Sequence, residues 1–203
     1  MYAIVEDNNI TQYINFPKSV VIGDVRYPAK IFELWTTAEK EAIGIYEIVV
    51  DKTNYKDPAY YNNTNSTYTF ANGQVTESWG TATPKQLEDE DAVDEDGENI
   101  LDADGNQVIN YGLKTEKKKI VKEQASGLLE KTDWHNHKAL DDDTYTIPEN
   151  IKTYRANVRS KSNEMETQID ACTNVDELKA LYEYTRQEDG TQTRPLAEFP
   201  EEI

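Results

Sequence analysis

The sequence predicts an α+β fold in successive parts: a β-rich head domain over residues 1–83, an acidic β-hairpin segment or linker over 84–113, a helical module over 114–186 and an extended tail over 187–203. Three observations carry this division. Short runs of β-branched and aromatic residues alternate with turn formers as far as Ala82-Thr83, the pattern of half-buried strands. The composition changes at Pro84, after which ten acids lie between Glu88 and Asp104 with no Lys or Arg until Lys114. From Lys114 the apolar period changes from two to about 3.6, the period of a helix buried on one side.

Composition bounds the function classes before any motif is read. The chain has 203 residues, enough for one medium domain or two small ones, and its 37% hydrophobic content implies a thin core. Thirteen Tyr and three Trp against four Phe give much of the apolar area a polar tip, which suits interfaces as well as cores. A net charge of -18 repels phosphate, so neither nucleic acid nor an anionic membrane surface is an expected partner. Cys172 stands alone and reads as a small buried hydrophobe. The N-terminus, Met1 to Asp7, shows no secretory signal, and no apolar run approaches a membrane span.

Tyr2–Val5 and Ile10–Phe16 read as a hairpin about Glu6-Asp7-Asn8-Asn9, with Pro17 ending the second strand. Gly23-Asp24 turns Val20–Ile22 into Val25–Tyr27. Thr36 or Thr37 can cap a short helix through Ala38 to Ile43, stopped by Gly44, and the strand Ile45–Val50 follows. Tyr60-Tyr61 and Tyr68–Phe70 are further strands. Asn72-Gly73 before Gln74–Trp79 is a strong hairpin signal, because both central positions of a type I′ turn need positive φ.

In the acidic segment, Asp96-Gly97 and Asp104-Gly105 stand eight residues apart, with Asn99–Leu101 between them and Gln107–Ile109 after. This predicts a short acidic meander or hairpin. Beyond it, Val121, Ala125 and Leu128 share one helical face, flanked by a basic band of Lys117, Lys118, Lys119 and Lys122 that can answer the acidic segment electrostatically. A second helix is expected from Pro148 to about Ala171, carrying Ile151, Tyr154, Val158, Met165 and Ile169. Asn174 can cap a third, bearing Val175, Leu178 and Leu181.

Few constellations suggest chemistry. His135-Asn136-His137 with Asp141–Asp143 is metal-like, yet no second His or Cys cluster completes a zinc set, so a solvated loop is expected there. The Asp-x-Asp-Gly turns fail the EF-hand pattern twice, with Ala92 and Ile100 at the first ligand position and Ala103 and Tyr111 at the last. A Ca²⁺-responsive module stays open only as an alternative. Nucleophile-elbow, Walker and dinucleotide motifs are absent, and Cys172 has no His at helical spacing. The expectation is a protein without enzymatic activity, cofactor or metal.

One stretch binds the helical module together. Leu128-Leu129-x-x-Thr132-Asp133-Trp134, a loop ending in Pro148, then Tyr154-Arg155-x-x-Val158-Arg159 resembles the C-terminal module of tailed-bacteriophage tail assembly chaperones and tail-fibre assembly proteins, over roughly residues 114–172. The first 80 residues look more loosely like the small β-rich heads that precede that module. The resemblance implies a tail or tail-fibre protein working through protein–protein contacts, with tail, baseplate or fibre proteins as partners, a homo-oligomer being compatible, made in the bacterial cytoplasm and residing in the virion. The chain departs from the family pattern in its longer helix after Arg159 and in its acidic segment, which favours a virion component over the alternative of a transient chaperone. From the residues themselves, Trp134 is expected to lie against Tyr154 and the stem of Arg155, with Arg155 and Arg159 near Asp133 and Asp141–Asp143. That makes these residues scaffold, so that truncating Trp134 would cost stability before binding.

Overall fold

The computed structural model describes all 203 residues. It is α+β, and the chain divides into two compact units, Met1–Thr83 and Pro84–Ile203.

The first unit is built on a five-stranded sheet of order β2-β1-β5-β8-β7. β1 (Tyr2–Glu6) and β2 (Asn9–Ile14) form the first hairpin, with Asp7 and Asn8 at φ of 51° and 63° in its turn. β3 (Val20–Ile22) and β4 (Val25–Tyr27) form a separate hairpin turned at Gly23. A one-turn helix, α1 (Ile31–Leu34), then buries Ile31 and Phe32. No sequence signal marked it, because four residues are too few to set a period. α2 (Thr37–Glu41) is held by a capping box: the Thr36 hydroxyl accepts from the Glu39 amide, and the Glu39 carboxylate accepts from the Thr36 amide.

Gly44 ends this helix at φ +82°, where a Cβ would lie 2.6 Å from the Val5 carbonyl oxygen. Only glycine fits there. β5 (Ile45–Asp51) then pairs antiparallel with β1 and parallel with β8 (Gln74–Trp79). β6 (Tyr61–Asn62) precedes β7 (Ser66–Ala71), which pairs with β8 across six positions around Asn72-Gly73, both at positive φ. β9 (Thr83–Pro84) closes the unit.

The sheet is apolar on both faces, and on the second its own curled strands supply every packing residue. Ile4, Ile14 and Ile45 pack with Val20, Ile31 and Phe32 on one side, while Ala3, Val5, Ile48 and Val75 pack with Tyr46, Tyr68 and Phe70 on the other. Strand β1 therefore reads as a continuous apolar run rather than an alternation. The sheet curls until its edge strands approach, with the Tyr13 and Tyr68 rings 4.7 Å apart.

In the second unit β10 (Glu90–Asp91) pairs antiparallel with β11 (Ile109–Asn110). Four helices follow: α3 (Leu113–Glu130), α4 (Asp133–Asp141), α5 (Glu149–Ala171) and α6 (Val175–Ala180). The helices α3 and α5 pack side by side around Ala125, Tyr154 and Val158, with Leu128, Leu129 and Phe199 at the margin. The Asn174 side chain caps α6 by accepting from the Glu177 amide at 2.9 Å. A two-residue ladder, β12 (Thr185–Arg186) with β13 (Gln192–Thr193), leads into the C-terminal segment.

Three expectations are corrected here. The histidine stretch is not a loop but helix α4, and α3 ends at Glu130, so Trp134 opens a helix instead of closing one. The basic band turns mainly to α5, Lys118 pairing with Asp170 at 2.7 Å and Lys122 with Glu166 at 3.1 Å. The tail is not simply extended: it forms the β12–β13 hairpin and buries Leu196, 2% exposed. No helix is long and apolar enough to cross a membrane.

Candidate functional site

The acidic segment is not a linear meander. The Ile100 amide donates to the Ala92 carbonyl, Val108 to Ile100, and Ala92 back to Val108, at 2.8–2.9 Å. That closed ring of backbone bonds joins three antiparallel hairpins at one junction. The first is the β10–β11 stem; the others are arms bridged at Val93–Asn99 and Leu101–Gln107. A linear meander would leave the outer strands unpaired with each other, so the ring is what distinguishes the two.

The eight-residue spacing explains why three hairpins fit one junction. Asp94 Oδ1 accepts from the amides of Asp96 and Glu98, and Asp102 Oδ1 accepts from those of Asp104 and Asn106, so each Asp-x-Asp-Gly closes its arm through a side-chain turn. Gly97 and Gly105 take φ of 82° and 85° in those turns. The Asn106 amide, backbone first and then side chain, holds the Asp102 carboxyl below the ordinary carboxylate range. Gln107 pins the junction by donating to the carbonyls of Ala92 and Val108, each at 2.9 Å.

The junction is anchored to α3 at its stem. Gly112 donates to Asp89 Oδ1, the Thr115 hydroxyl to Asp89 Oδ2, and Lys114 pairs with Glu88. Beyond these contacts, Glu90, Asp91, Glu95, Asp96, Glu98 and Asp104 take part in no ion pair. Val93, Ile100 and Leu101 lie among them with 51%, 41% and 56% of their surface exposed. The result is an acidic surface with apolar points in it.

The second constellation surrounds Arg155, buried on α5. Its Nη1 donates to the Leu129 carbonyl at 2.8 Å and the Thr132 hydroxyl oxygen at 2.7 Å, and its Nη2 to Asp133 at 2.7 Å. Leu129 offers a carbonyl at the end of α3 that also accepts from the Thr132 amide and hydroxyl, and Asp133 sits in the first turn of α4. The guanidinium thus neutralises the negative end of one helix and pairs with the acid that favours the positive end of the next. It fixes the corner between α3 and α4.

The five residues singled out from the sequence separate accordingly. Asp133 and Arg155 meet as an ion pair, and Tyr154 is buried in the α3–α5 core. Arg159 donates to the Arg155 carbonyl at 3.5 Å and pairs with none of Asp141–Asp143. Trp134 does not reach Tyr154. It stacks on His135 at 3.7 Å, stands 6.4 Å from the Tyr145 ring and keeps 53% of its surface exposed. At the start of α4 it is the neighbouring Asp133 that reaches α5, through Arg155, while Trp134 projects into solvent.

His135 itself is buried, its Nδ1 hydrogen-bonded with the Tyr145 hydroxyl. His137, two positions on along a helix, points elsewhere. Nowhere do three or more His, Cys, Asp or Glu side chains converge as a metal set. Along α4, Trp134 and the 80% exposed Leu140 each leave a large apolar side chain in solvent. Sequence reading missed these exposed side chains and the three-way closure of the junction. The recurrence of apolar, x, Asp, x, Asp, Gly at a period of eight was the available signal for the junction.

Comparison with family models, with curated proteins and with solved structures returns no match to the chain.

Proposed function

We propose that the chain is a non-enzymatic bacteriophage tail or tail-fibre protein that acts by protein–protein interaction as a structural component of the virion. The observation that carries the interaction is the acidic three-hairpin junction, where six carboxylates without ion-pair partners share the segment with exposed Val93, Ile100 and Leu101. Free carboxylates attract a basic surface over roughly a Debye length, and apolar points then supply contact area once it has arrived. The assignment to a tail rests on the resemblance of Leu128–Arg159 to the tail assembly module.

The same stretch is supported as scaffold by the way Arg155 ties α3 to α4. A Ca²⁺-responsive role is less favoured, since Asp94 and Asp102 each already spend an oxygen on two backbone amides. A basic tail, baseplate or fibre protein is the partner this reading requires. Its complex with the chain should tighten on lowering salt from about 0.3 M to about 0.05 M. Replacing Glu95, Asp96, Glu98 and Asp104 by Asn or Gln should flatten that dependence in titrations followed by calorimetry. A salt-independent affinity, or a complex indifferent to the four substitutions, contradicts it.

A further inference from the structure

The last ten residues, Arg194–Ile203, lie along the second unit as a strap. Leu196 is fully buried and donates its amide to the Leu181 carbonyl at 3.0 Å. The Gln168 side chain reads the strap backbone on both sides of it, donating to the Pro195 carbonyl at 3.0 Å and accepting from the Ala197 amide at 2.8 Å. Further on, Phe199 packs on the Ala125–Tyr154–Val158 cluster, and Glu202 pairs with Lys131 at 2.5 Å. Two apolar anchors and a side-chain amide that mimics a β-ladder make this seat a specific receptor for an extended segment.

The connection that delivers the strap is of another kind. All eleven residues 183–193 are exposed, and what folds them back is local: the two-residue β12–β13 ladder, the turn at Gly190, and side-chain bonds from Gln187 to Thr193 and from Thr191 to Asp189. An isolated two-stranded hairpin is marginally stable in water. Opened out, eleven residues span about 36 Å. A strap with strong anchors on a weak, exposed hinge has the ingredients of exchange between identical chains. An exchanged pair regains every anchor contact of two closed chains and gives up only the hinge hairpins and the freedom of separate molecules.

We infer that the strap seat on α3 and α5 is an interface between two copies of this chain, each receiving the other's residues 194–203. The exchange is concentration-driven, so packing copies together in an assembly favours it. It uses Gln168, Leu196 and Phe199, none of which belongs to the acidic junction, so it stands or falls separately from the tail assignment.

The test uses full chains carrying single cysteines at the exposed ends of the Lys131–Glu202 pair, with a short bis-maleimide cross-linker and the unsubstituted chain, whose Cys172 is buried, as the blank. A Lys131→Cys, Glu202→Cys double variant first shows that the pair is within reach by cross-linking internally at low concentration. Lys131→Cys and Glu202→Cys chains are then mixed as the concentration is raised. Exchange predicts a covalent heterodimer. Adding Leu196→Ala and Phe199→Ala to the strap weakens its docking in either seat, so the heterodimer and the double variant's internal cross-link should fall together, by about 100-fold. Gln168→Ala in the seat, which leaves no large cavity, should lower both as well. A double variant that only ever cross-links internally while the mixture gives no heterodimer overturns the inference. So does a heterodimer that persists when the same truncations abolish the internal cross-link.

Discussion

Arg155 and Trp134 stand 21 positions apart in the sequence and were read together, yet the structure gives them opposite roles. Arg155 is buried with three hydrogen bonds to the α3–α4 corner. Its removal leaves the Leu129 carbonyl without its charged donor and unpairs Asp133. Arg155→Ala is therefore expected to destabilise the second unit by about 3 kcal/mol in chemical denaturation. Arg155→Lys should recover only part of that, because a single ammonium cannot span donors aimed at three acceptors. Trp134, by contrast, stacks only on His135 and keeps half its surface in water. Trp134→Ala is expected to cost about 1 kcal/mol or less by the same measurement, so its loss should weaken association with a partner before it weakens the fold. A loss of several kcal/mol would restore Trp134 to the core.

At the scale of elements, helices with a clear apolar period and turns with a clear residue code were legible in the sequence. α5 runs one residue inside its expected start, Asn174 and Thr36 cap as their side chains allow, and Asn72-Gly73 turns its hairpin. α4 was missed because His135, Asn136, His137 and Lys138 carry no apolar period; its order comes from the Arg155 clamp and the His135–Tyr145 bond. The junction was half legible, since period and glycines gave the arms but the ring through Ala92, Ile100 and Val108 is a backbone event that no side chain announces. Several of these elements end in carboxylates that accept local bonds, Glu39 and Glu177 from the backbone amides of Thr36 and Thr173, Asp102 from Asn106, and all three are held below their ordinary range. A depressed folded-state value means that the stabilisation is complete above the ordinary carboxylate range and is lost as the pH falls through and below it. Acidification also relieves the self-repulsion of a chain with a net charge of -18. Melting followed by circular dichroism is thus expected to hold or rise from neutral pH to about 5 and to fall below about 4. A melting temperature that keeps rising into the strongly acidic range would show that these caps contribute nothing.

For the whole molecule, the acidic charge is not spread evenly. The basic residues of α3 are spent largely on α5, through Lys118–Asp170 and Lys122–Glu166, with Lys114 on Glu88 at the stem, which leaves the arms of the junction unneutralised. The strap was illegible for a related reason: Leu196 and Phe199 sit alone among Pro and Glu, and only the seat prepared by Gln168 and the α3–α5 cluster gives them a purpose. A stable scaffold with an unneutralised acidic surface suits a permanent structural part and a transient chaperone alike. The central proposal is that this chain remains in the finished particle. Quantitative mass spectrometry of purified tailed particles, from a host culture producing this protein, tests it most directly. The account predicts the chain at a fixed copy number per particle, in stoichiometric ratio to the other tail proteins. Its absence from intact particles, with the chain found instead in a soluble complex in the lysate, would contradict the account and make it an assembly chaperone.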